Sequence, residues 1–287
     1  MYTIVDKETL SPTINKYVIK APFIARKRRA GNFVMLRIEE NGERIPITIV
    51  GSDIAEGTIT IIVQSIGKTT KLLATKNIGD AILDVVGPLG MPTPIELHGA
   101  VACVGGGVGT AELYPIAKAL KDAGNTVYSI VGARSQDLII LEKEMEEISD
   151  AIYVTTDDGS YKRKGLVTDA LKDLLNDTTL GIHAVYAIGP LPMMKAVSNT
   201  TRPYGVHTLV SLNAIMVDGT GMCGGCRVSV GGEMKFACVD GPEFDGHLVD
   251  FDEMMMRNRT YIEMEKISND HFCNFQKQVL ELTGVAA

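Results

Sequence analysis

Along the first hundred residues short apolar runs alternate with polar positions, and glycine, proline and asparagine separate them. Period-two alternation predicts half-buried strands over 2–6, 15–20, 33–38, 45–50, 58–65 and 81–86. The breaks fall at Pro12, Pro22, Gly31, Asn41-Gly42, Gly51, Gly67, Gly79 and Gly87-Pro88, residues that take turn geometry or cannot continue a ladder. Six short strands at this spacing predict a small antiparallel β-barrel over 1–98. The pattern then changes. Continuous apolar runs at 100–104, 126–131, 151–155, 183–188 and 205–210 are separated by helical segments near 110–123, 137–149, 166–175 and 191–199. Strands apolar on both faces must be covered on both, so 99–211 is expected to hold a parallel sheet between two layers of helices. Ligands on such sheets collect at the carboxyl ends of the strands. Residues 212–250 turn to glycine and cysteine, and 251–287 read as one or two helices with Met254, Met255 and Met256, a cluster suited to core filling or a subunit contact. The fold class expected is β followed by α/β.

Composition narrows the function. The chain has 287 residues, 45% hydrophobic and 22% charged, with 28 basic against 35 acidic side chains and a net charge of −7. Such a balance supplies no basic surface for nucleic acid. No apolar run reaches the roughly 18 residues of a membrane span, and the amino terminus lacks the apolar core of a signal peptide. A cytoplasmic protein with no membrane partner is expected. Five cysteines, an odd number, do not form the disulfide framework of a small secreted domain.

The run 100–104 leads directly into Gly105-Gly106-Gly107-Val108-Gly109-Thr110 and a helical pattern. Successive glycines admit close approach of a ligand, and a helix N-terminus favours phosphate. The spacing departs from the common dinucleotide fingerprint: Thr110 stands where its third glycine would fall, and Gly132-Ala133-Arg134-Ser135, without a carboxylate, closes the second strand. The alternative is a turn that needs glycine only for packing. Asp157-Asp158-Gly159 and Gly189-Pro190, with Met193 close behind, occupy equivalent strand ends.

Cys223-Gly224-Gly225-Cys226 followed by Cys238 has metal-ligand spacing. Plant-type [2Fe-2S] sites use C-x4-C-x2-C with a distant fourth cysteine, and counting back from Cys223 puts Asp218 at the first position. A carboxylate is a harder donor than a thiolate and favours ferric iron. The competing readings are a plain Asp-Gly turn at residue 218, and structural zinc on three thiolates with His207 or His247. Cys103 and Cys273 read as packing residues.

Taken alone, Arg44 is a solvated strand end and Gly67 a turn. Their order carries more. Arg44-Ile45-Pro46-Ile47-Thr48, then Gly67-Lys68-Thr69-Thr70, Gly87-Pro88-Leu89-Gly90, the glycine-rich turn and Gly189-Pro190 resemble the ferredoxin-NADP reductase-like flavoproteins. With the carboxy-terminal cysteines added, the whole chain resembles the electron-transfer subunits related to that of dihydroorotate dehydrogenase B. Within that family Met216-Val217-Asp218-Gly219-Thr220-Gly221-Met222-Cys223 is similar to the branch of small subunits of bifurcating NADH-dependent ferredoxin:NADP oxidoreductases, also described as sulfide dehydrogenase β subunits. Cysteine at 218 would mark the dihydroorotate type.

The resemblance implies an FAD-binding barrel, a nucleotide-binding α/β domain, a [2Fe-2S] lobe and terminal helices. It implies FAD on Arg44, Pro46, Ile47 and Thr48, with Thr48 near the flavin N5 as the catalytic position. Ile62, Val63 and Gln64 would flank the flavin, and Gly67, Thr69 and Thr70 would bind its pyrophosphate. It implies NAD(H) on Gly105, Gly106, Gly107, Val108, Gly109, Arg134, Asp157, Gly159, Gly189, Pro190 and Met193. Arg134 with Ser135 has the chemistry to meet a 2′-phosphate, which points to NADP(H), whereas the family implies NADH. Asp218, Cys223, Cys226 and Cys238 would ligate the cluster. The implied partner is a larger flavoprotein subunit with FAD and [4Fe-4S] clusters, in a heterodimer that reaches ferredoxin indirectly. The alternatives are an electron-transfer subunit of dihydroorotate dehydrogenase and, in another class, a zinc-stapled nucleotide-binding regulator.

Overall fold

The computed structural model describes residues 1–283. Its first third contains strands β1 (Tyr2–Ser11), β2 (Ile14–Lys20), β3 (Phe33–Arg37), β4 (Arg44–Thr48), β5 (Gly51–Asp53), β6 (Thr58–Gln64), β7 (Ala81–Ile82) and β8 (Asp84–Leu89), with helices α1 (Pro22–Lys27) and α2 (Lys68–Ala74) between them. Every pairing is antiparallel, in one sheet of order β5-β6-β2-β1-β7 and another of order β4-β3-β8. Ile4, Tyr17, Ile19, Ile59 and Ile61 of the first sheet meet Val34, Leu36 and Val85 of the second in one core. Each such side chain contributes about 1.5–3 kcal/mol by leaving water. The segment expected as one strand over 81–86 is divided at Leu83, and its halves serve different sheets. Helices α1 and α2, of six and seven residues, are too short to announce a helical period.

The α/β part follows: β9 (Ala100–Gly106), α3 (Gly109–Asp122), β10 (Thr126–Ala133), α4 (Glu142–Ile148), β11 (Ala151–Thr156), β12 (Arg163–Lys164), α5 (Val167–Asn176), β13 (Ile182–Ile188), α6 (Leu191–Thr201) and β14 (His207–Ser211). The strands lie parallel in the order β12-β11-β10-β9-β13-β14. Alternate residues of β9 serve opposite layers. Ala102 and Val104 pack with Leu171 and Leu174 of α5, while Val101 and Cys103 pack with Leu113, Ile116 and Leu120 of α3. This two-sided burial is what the continuous apolar runs required.

The helix expected over 137–149 is shorter. A 3-10 turn at Gln136–Leu138 precedes α4, and Leu141 between them takes a left-handed φ of 54°. The chain turns aside here because Ile140 and Leu141 pack with Ile14 and Ile62 of the first sheet, Val50 between β4 and β5, and Ala111 of α3. That cluster joins the antiparallel part to the parallel one.

After β14 come the hairpin β15 (Arg227–Val230) and β16 (Glu233–Phe236), the short β17 (Glu243–Asp245), and helices α7 (Phe251–Arg257) and α8 (Ile262–Thr283). β17 adds antiparallel to β14 and ends the seven-stranded sheet. Met216, Cys226, Val228 and Cys238 share one core with the nucleotide sheet and with Phe33 and Met35 of β3. α8 lies against α2, where Lys71 Nζ donates to Asn269 Oδ1 at 2.9 Å and approaches Cys273 Sγ at 3.4 Å. The terminal segment expected to run to 287 falls outside the described residues beyond 283. No helix among the described residues is long and apolar enough to cross a membrane.

Candidate cofactor and electron-transfer site

The glycine-rich turn combines two roles. A Cβ on Gly105 would lie 2.8 Å from Thr110 Oγ1, on Gly106 2.3 Å from Met193 Sδ, and on Gly109 2.5 Å from the Ile188 carbonyl oxygen. Gly105 and Gly109 are required by packing between β9, α3 and the turn after β13, because the atoms they meet include the Thr110 and Ile188 backbone, whereas Gly106 meets only the flexible end of Met193 and Pro190. Gly107 differs. Its φ of +56° is left-handed, and a Cβ there meets nothing within 4 Å. The hydroxyls of Thr110 and Thr155 are buried near this turn without a hydrogen-bond partner. Gly189, Pro190 and Met193 cover the opposite side, and a Cβ on Gly189 would strike Met193 at 2.7 Å. Val108 packs at the junction with the antiparallel sheets.

Beyond the ends of β10 and β11 a cavity of about 640 Å³ opens between Leu10 and Pro12 on one side and Ser135, Asp137, Asp158 and Ser160 on the other. Arg134 is exposed at its edge, Asp157 donates its amide to the Ala133 carbonyl at 3.0 Å, and Gly159 holds a left-handed φ of +76° beside Lys164. Ser135 donates to Asp137, while Asp158 accepts from the Ser160 amide at 2.9 Å and hydroxyl at 2.6 Å. The Ser160 hydroxyl and amide hold the Asp158 carboxyl below the usual carboxylate range. Thus the cavity carries two carboxylates that lie beyond the strand ends, where the strand pattern gives no reason to seek them.

On the antiparallel side, β4 presents Arg44 exposed and Ile45, Pro46, Ile47 and Thr48 half-buried, with Ile45 and Ile47 packed against the antiparallel core and Arg44, Pro46 and Thr48 on the opposite face. Of the flanking trio, Ile62 and Val63 turn their side chains into the two neighbouring cores, so only their backbone and half-buried Gln64 face outward. Gly67 has open space around it. Thr70 Oγ1 accepts from the Ile66 and Gly67 amides at 3.0 and 3.1 Å and so caps its own helix, and Thr69 Oγ1 donates to Glu43 Oε2 at 2.9 Å. Beside them a cavity of about 560 Å³ is bounded by Lys68 and by Met264, Ile267 and His271 of α8. No sequence pattern had linked α8 to this end of the site.

Between the two halves stands a pair of acids. Glu112, in the first turn of α3, faces the Thr48 hydroxyl, and burial pushes its carboxyl up to about 7. Glu243 of β17 faces the hydroxyls of Thr93 and Ser211, and burial, with the Glu112 charge adding, also pushes it up to about 7. Neither residue belongs to a recognisable motif.

In the carboxy-terminal lobe the four expected ligands approach in two pairs. Cys226 Sγ and Cys238 Sγ are 3.2 Å apart. Asp218 accepts from the Thr220 amide at 2.8 Å and the Cys223 amide at 2.7 Å, and the Cys223 thiol also faces its carboxyl. The Thr220 amide leads in holding Asp218 below the usual carboxylate range. The loop reverses at Gly219, Gly221 and Gly224, with φ of +74°, +84° and +66°, which only glycine adopts freely. These turns aim amides at sulfur: Gly225 donates to Cys223 Sγ at 3.4 Å and Gly221 to Cys238. Burial, then the Cys226 thiol, pushes the Cys238 thiol up to about 12.

Among the described residues no three His, Cys, Asp or Glu side chains converge on a point for a single ion. His247, one of the two candidate zinc ligands with His207, instead bonds Thr201 Oγ1 at 2.9 Å. Two pairs of donors with amides aimed at the sulfurs fit two irons better than one zinc. Cys103, buried with its thiol also pushed up to about 12, is the inert packing residue expected.

Comparison with known proteins agrees with this geometry. Residues 213–250 match the iron-sulfur cluster binding domain of dihydroorotate dehydrogenase B, and residues 103–199 match the oxidoreductase NAD-binding domain. The chain is 51% identical over 269 residues to a Thermotoga maritima dihydroorotate dehydrogenase B (NAD(+)) electron transfer subunit homolog, covering 94% of each. It is 33% identical to the electron transfer subunit of dihydroorotate dehydrogenase B from Geobacillus thermodenitrificans, across 84% of this chain and 95% of that one. Among solved structures, a chain of the NADH-dependent reduced ferredoxin-NADP oxidoreductase, determined for insight into flavin-based electron bifurcation, superposes with a TM-score of 0.89 at 49% identity, covering 95% and 98%. Phthalate dioxygenase reductase shares the fold at a TM-score of 0.60 and 16% identity. On its length, its motifs and these identities, the chain belongs to the family of dihydroorotate dehydrogenase B-type electron transfer subunits.

Proposed function

We propose that this chain is the NADH-oxidising electron-transfer subunit of a cytoplasmic heterodimer, exchanging electrons between NAD(H), FAD and a [2Fe-2S] cluster. The observation that carries the reading is the paired arrangement of Asp218 with Cys223 and Cys226 with Cys238, in a lobe that β17 hydrogen-bonds into the nucleotide sheet.

FAD, when bound, supplies the conversion of a hydride donor into single electrons, and the cluster carries them onward. Arg44, Pro46, Ile47 and Thr48 would hold the flavin, beside the backbone of Ile62, Val63 and Gln64. Gly67 and Lys68, at the open end of α2, would meet its pyrophosphate. Thr69 and Thr70 support that end by fixing Glu43 and the cap. Gly107 leaves room for the dinucleotide pyrophosphate, and Gly105, Gly106, Gly109, Gly189, Pro190 and Met193 set the width of the cleft. Asp137 and Asp158 favour NADH over NADPH, because a 2′-phosphate would enter a cavity carrying two carboxylates, while Arg134 stands outside it. Hydride transfer needs no acid–base side chain; the chain's contribution is position and electrostatics.

The partner reading rests on exposed apolar groups: Val217, Met222 and Met234 on the cluster lobe and Met264 and Ile267 on α8. Such groups suit a larger flavoprotein subunit carrying FAD and [4Fe-4S] clusters. The 49% identity to the bifurcating oxidoreductase chain, and Asp218 at the first ligand position, support that partner. The name of the 51% identical relative supports a dihydroorotate dehydrogenase partner as the second reading.

An anaerobic absorption spectrum with iron, sulfide and flavin analysis, before and after NADH, tests the proposal. One flavin with about two irons and two labile sulfides per chain, bleached by NADH, is expected. A colourless chain from iron-replete anaerobic preparation refutes it. Co-purification with a glutamate-synthase-like flavoprotein or with a dihydroorotate dehydrogenase separates the two partners.

A further inference from the structure

The cavity of about 560 Å³ between α2 and α8 is assigned nothing by the function proposed above. Two lysines stand one turn apart on the side of α2 that meets α8. Lys71 is already engaged, by Asn269 Oδ1 at 2.9 Å and Cys273 Sγ at 3.4 Å, and these contacts fix how α8 lies. Lys68 is half-buried, forms no ion pair among the described residues, and opens onto the cavity. α8 supplies the other walls. Met264, Ile267 and His271 recur at i, i+3 and i+7 and so share one stripe of the helix, with half-buried Ser268 and Phe272 beside it.

Such walls select a ligand by its chemistry. Met264, Ile267 and Phe272 suit a flat, weakly polar group, Ser268 and His271 can hydrogen-bond to its edge, and the Lys68 ammonium calls for an anion. Among the described residues no carboxylate lines this cavity. The cavity beyond β10 and β11 is the reverse, with Asp137 and Asp158 in its wall. A base joined to phosphate therefore meets favourable charge beside α8 and unfavourable charge there. We propose that α8 holds the adenosine half of FAD: Lys68 meets the pyrophosphate, and adenine lies along Met264, Ile267 and Phe272 with Ser268 and His271 at its edge. The inference rests on the FAD reading given above, through Gly67 and Lys68. It extends that reading to a helix that follows both matched regions, 103–199 and 213–250. Met264 and Ile267, 63% and 60% exposed, form the lip of the cavity, so their outer sides stay available to the partner subunit.

The test compares two flavins on the full chain with its cluster in place. FMN carries the isoalloxazine, the ribityl chain and one phosphate but lacks the adenosine monophosphate half, so the ratio of FAD to FMN affinity reads that half alone. The deflavinated chain is titrated anaerobically with each flavin, by fluorescence quenching, in wild type, Ile267→Glu and His271→Ala. Both substituted side chains are exposed, so the fold is expected to stand. Each variant is expected to bind FAD about tenfold more weakly and FMN as the wild type does. An unchanged ratio overturns the inference. So does an equal loss of both flavins, the mark of a helix that only braces α2. Should the variants fail to fold, FAD bearing an azide on its adenine ring is bound to the wild type and photolysed. A label recovered on α8 supports the assignment, and a label confined to other segments overturns it. A wild-type chain that binds neither flavin overturns the functional reading as well, and that failure is read before any variant is made.

Discussion

Replacing Gly107 and Gly109 separately by alanine distinguishes the ligand role of the glycine-rich turn from its packing role. At Gly107 the added methyl meets no protein atom within 4 Å, so its structural cost is the left-handed φ of +56°, about 1–2 kcal/mol for an L-residue. That corresponds to a melting temperature a few degrees lower. The methyl points into the space assigned to the pyrophosphate, and losing one charge-assisted hydrogen bond there costs about 1.5–3 kcal/mol. NADH should therefore bind roughly ten- to a hundredfold more weakly. At Gly109 the methyl would stand 2.5 Å from the Ile188 oxygen, 2.8 Å from its carbon and 2.9 Å from Gly189 Cα. All three are backbone atoms, so α3 and the end of β13 must separate, at about 1–3 kcal/mol or more. Gly109→Ala should thus lose stability first, and its weaker binding follows from displacement of Gly189 and Pro190. Scanning calorimetry reads the stability, and anaerobic NADH titration reads the affinity. If Gly107→Ala binds NADH with wild-type affinity while melting a few degrees lower, the turn serves packing alone and the dinucleotide assignment is wrong.

Asp137→Ala combined with Asp158→Ala should raise the NADPH-to-NADH ratio of kcat/KM by about thirtyfold, at roughly 1 kcal/mol of relieved repulsion for each charge; an unchanged ratio puts the ribose elsewhere. Cys226→Ser and Asp218→Ala should each lower iron per chain, and full iron in Asp218→Ala would leave Asp218 as a turn residue only. Burial pushes the Cys238 thiol up to about 12, so cluster assembly releases protons, and reconstitution yield should rise with pH; a yield flat across neutral and alkaline pH contradicts this. Asp150 is held below the usual range chiefly by Lys121, with help from the Val127 amide. Its contribution is therefore complete above about pH 4 and lost as pH falls through its lower folded value. Asp150→Ala should cost about 0.5–1 kcal/mol at neutral pH, with the difference from wild type closing in acid denaturation profiles; a gap that persists in strong acid refutes the linkage.

Five of the six parallel strands were legible because they are apolar along most of their length, a pattern that leaves little alternative to burial on both faces, whereas β12, the exposed pair Arg163–Lys164, gave no such signal. The cysteine loop was legible because metal-ligand spacing is a local property. Other features depend on contacts between segments far apart in the chain. α4 is short because Ile140 and Leu141 find partners on the antiparallel sheets. β17 is three residues reading polar, apolar, polar, and only the open edge of β14 makes it a strand. Glu112 reads as an ordinary helical carboxylate in α3, and only the folded chain sets its carboxyl facing Thr48 of β4. The roles of Gly105, Gly106 and Gly109 diverge from that of Gly107 through what each would touch, and sequence treats all four alike.

β17 also bears on how the chain stays in solution. A parallel sheet that ended at β14 would leave a row of unpaired amides and carbonyls, a template for pairing with another molecule. Glu243, Phe244 and Asp245 occupy that row, supplied by the same lobe that carries the paired cysteines. Losing the metal would then loosen the cap on the sheet as well as remove an electron carrier, and chains short of iron should aggregate edge to edge.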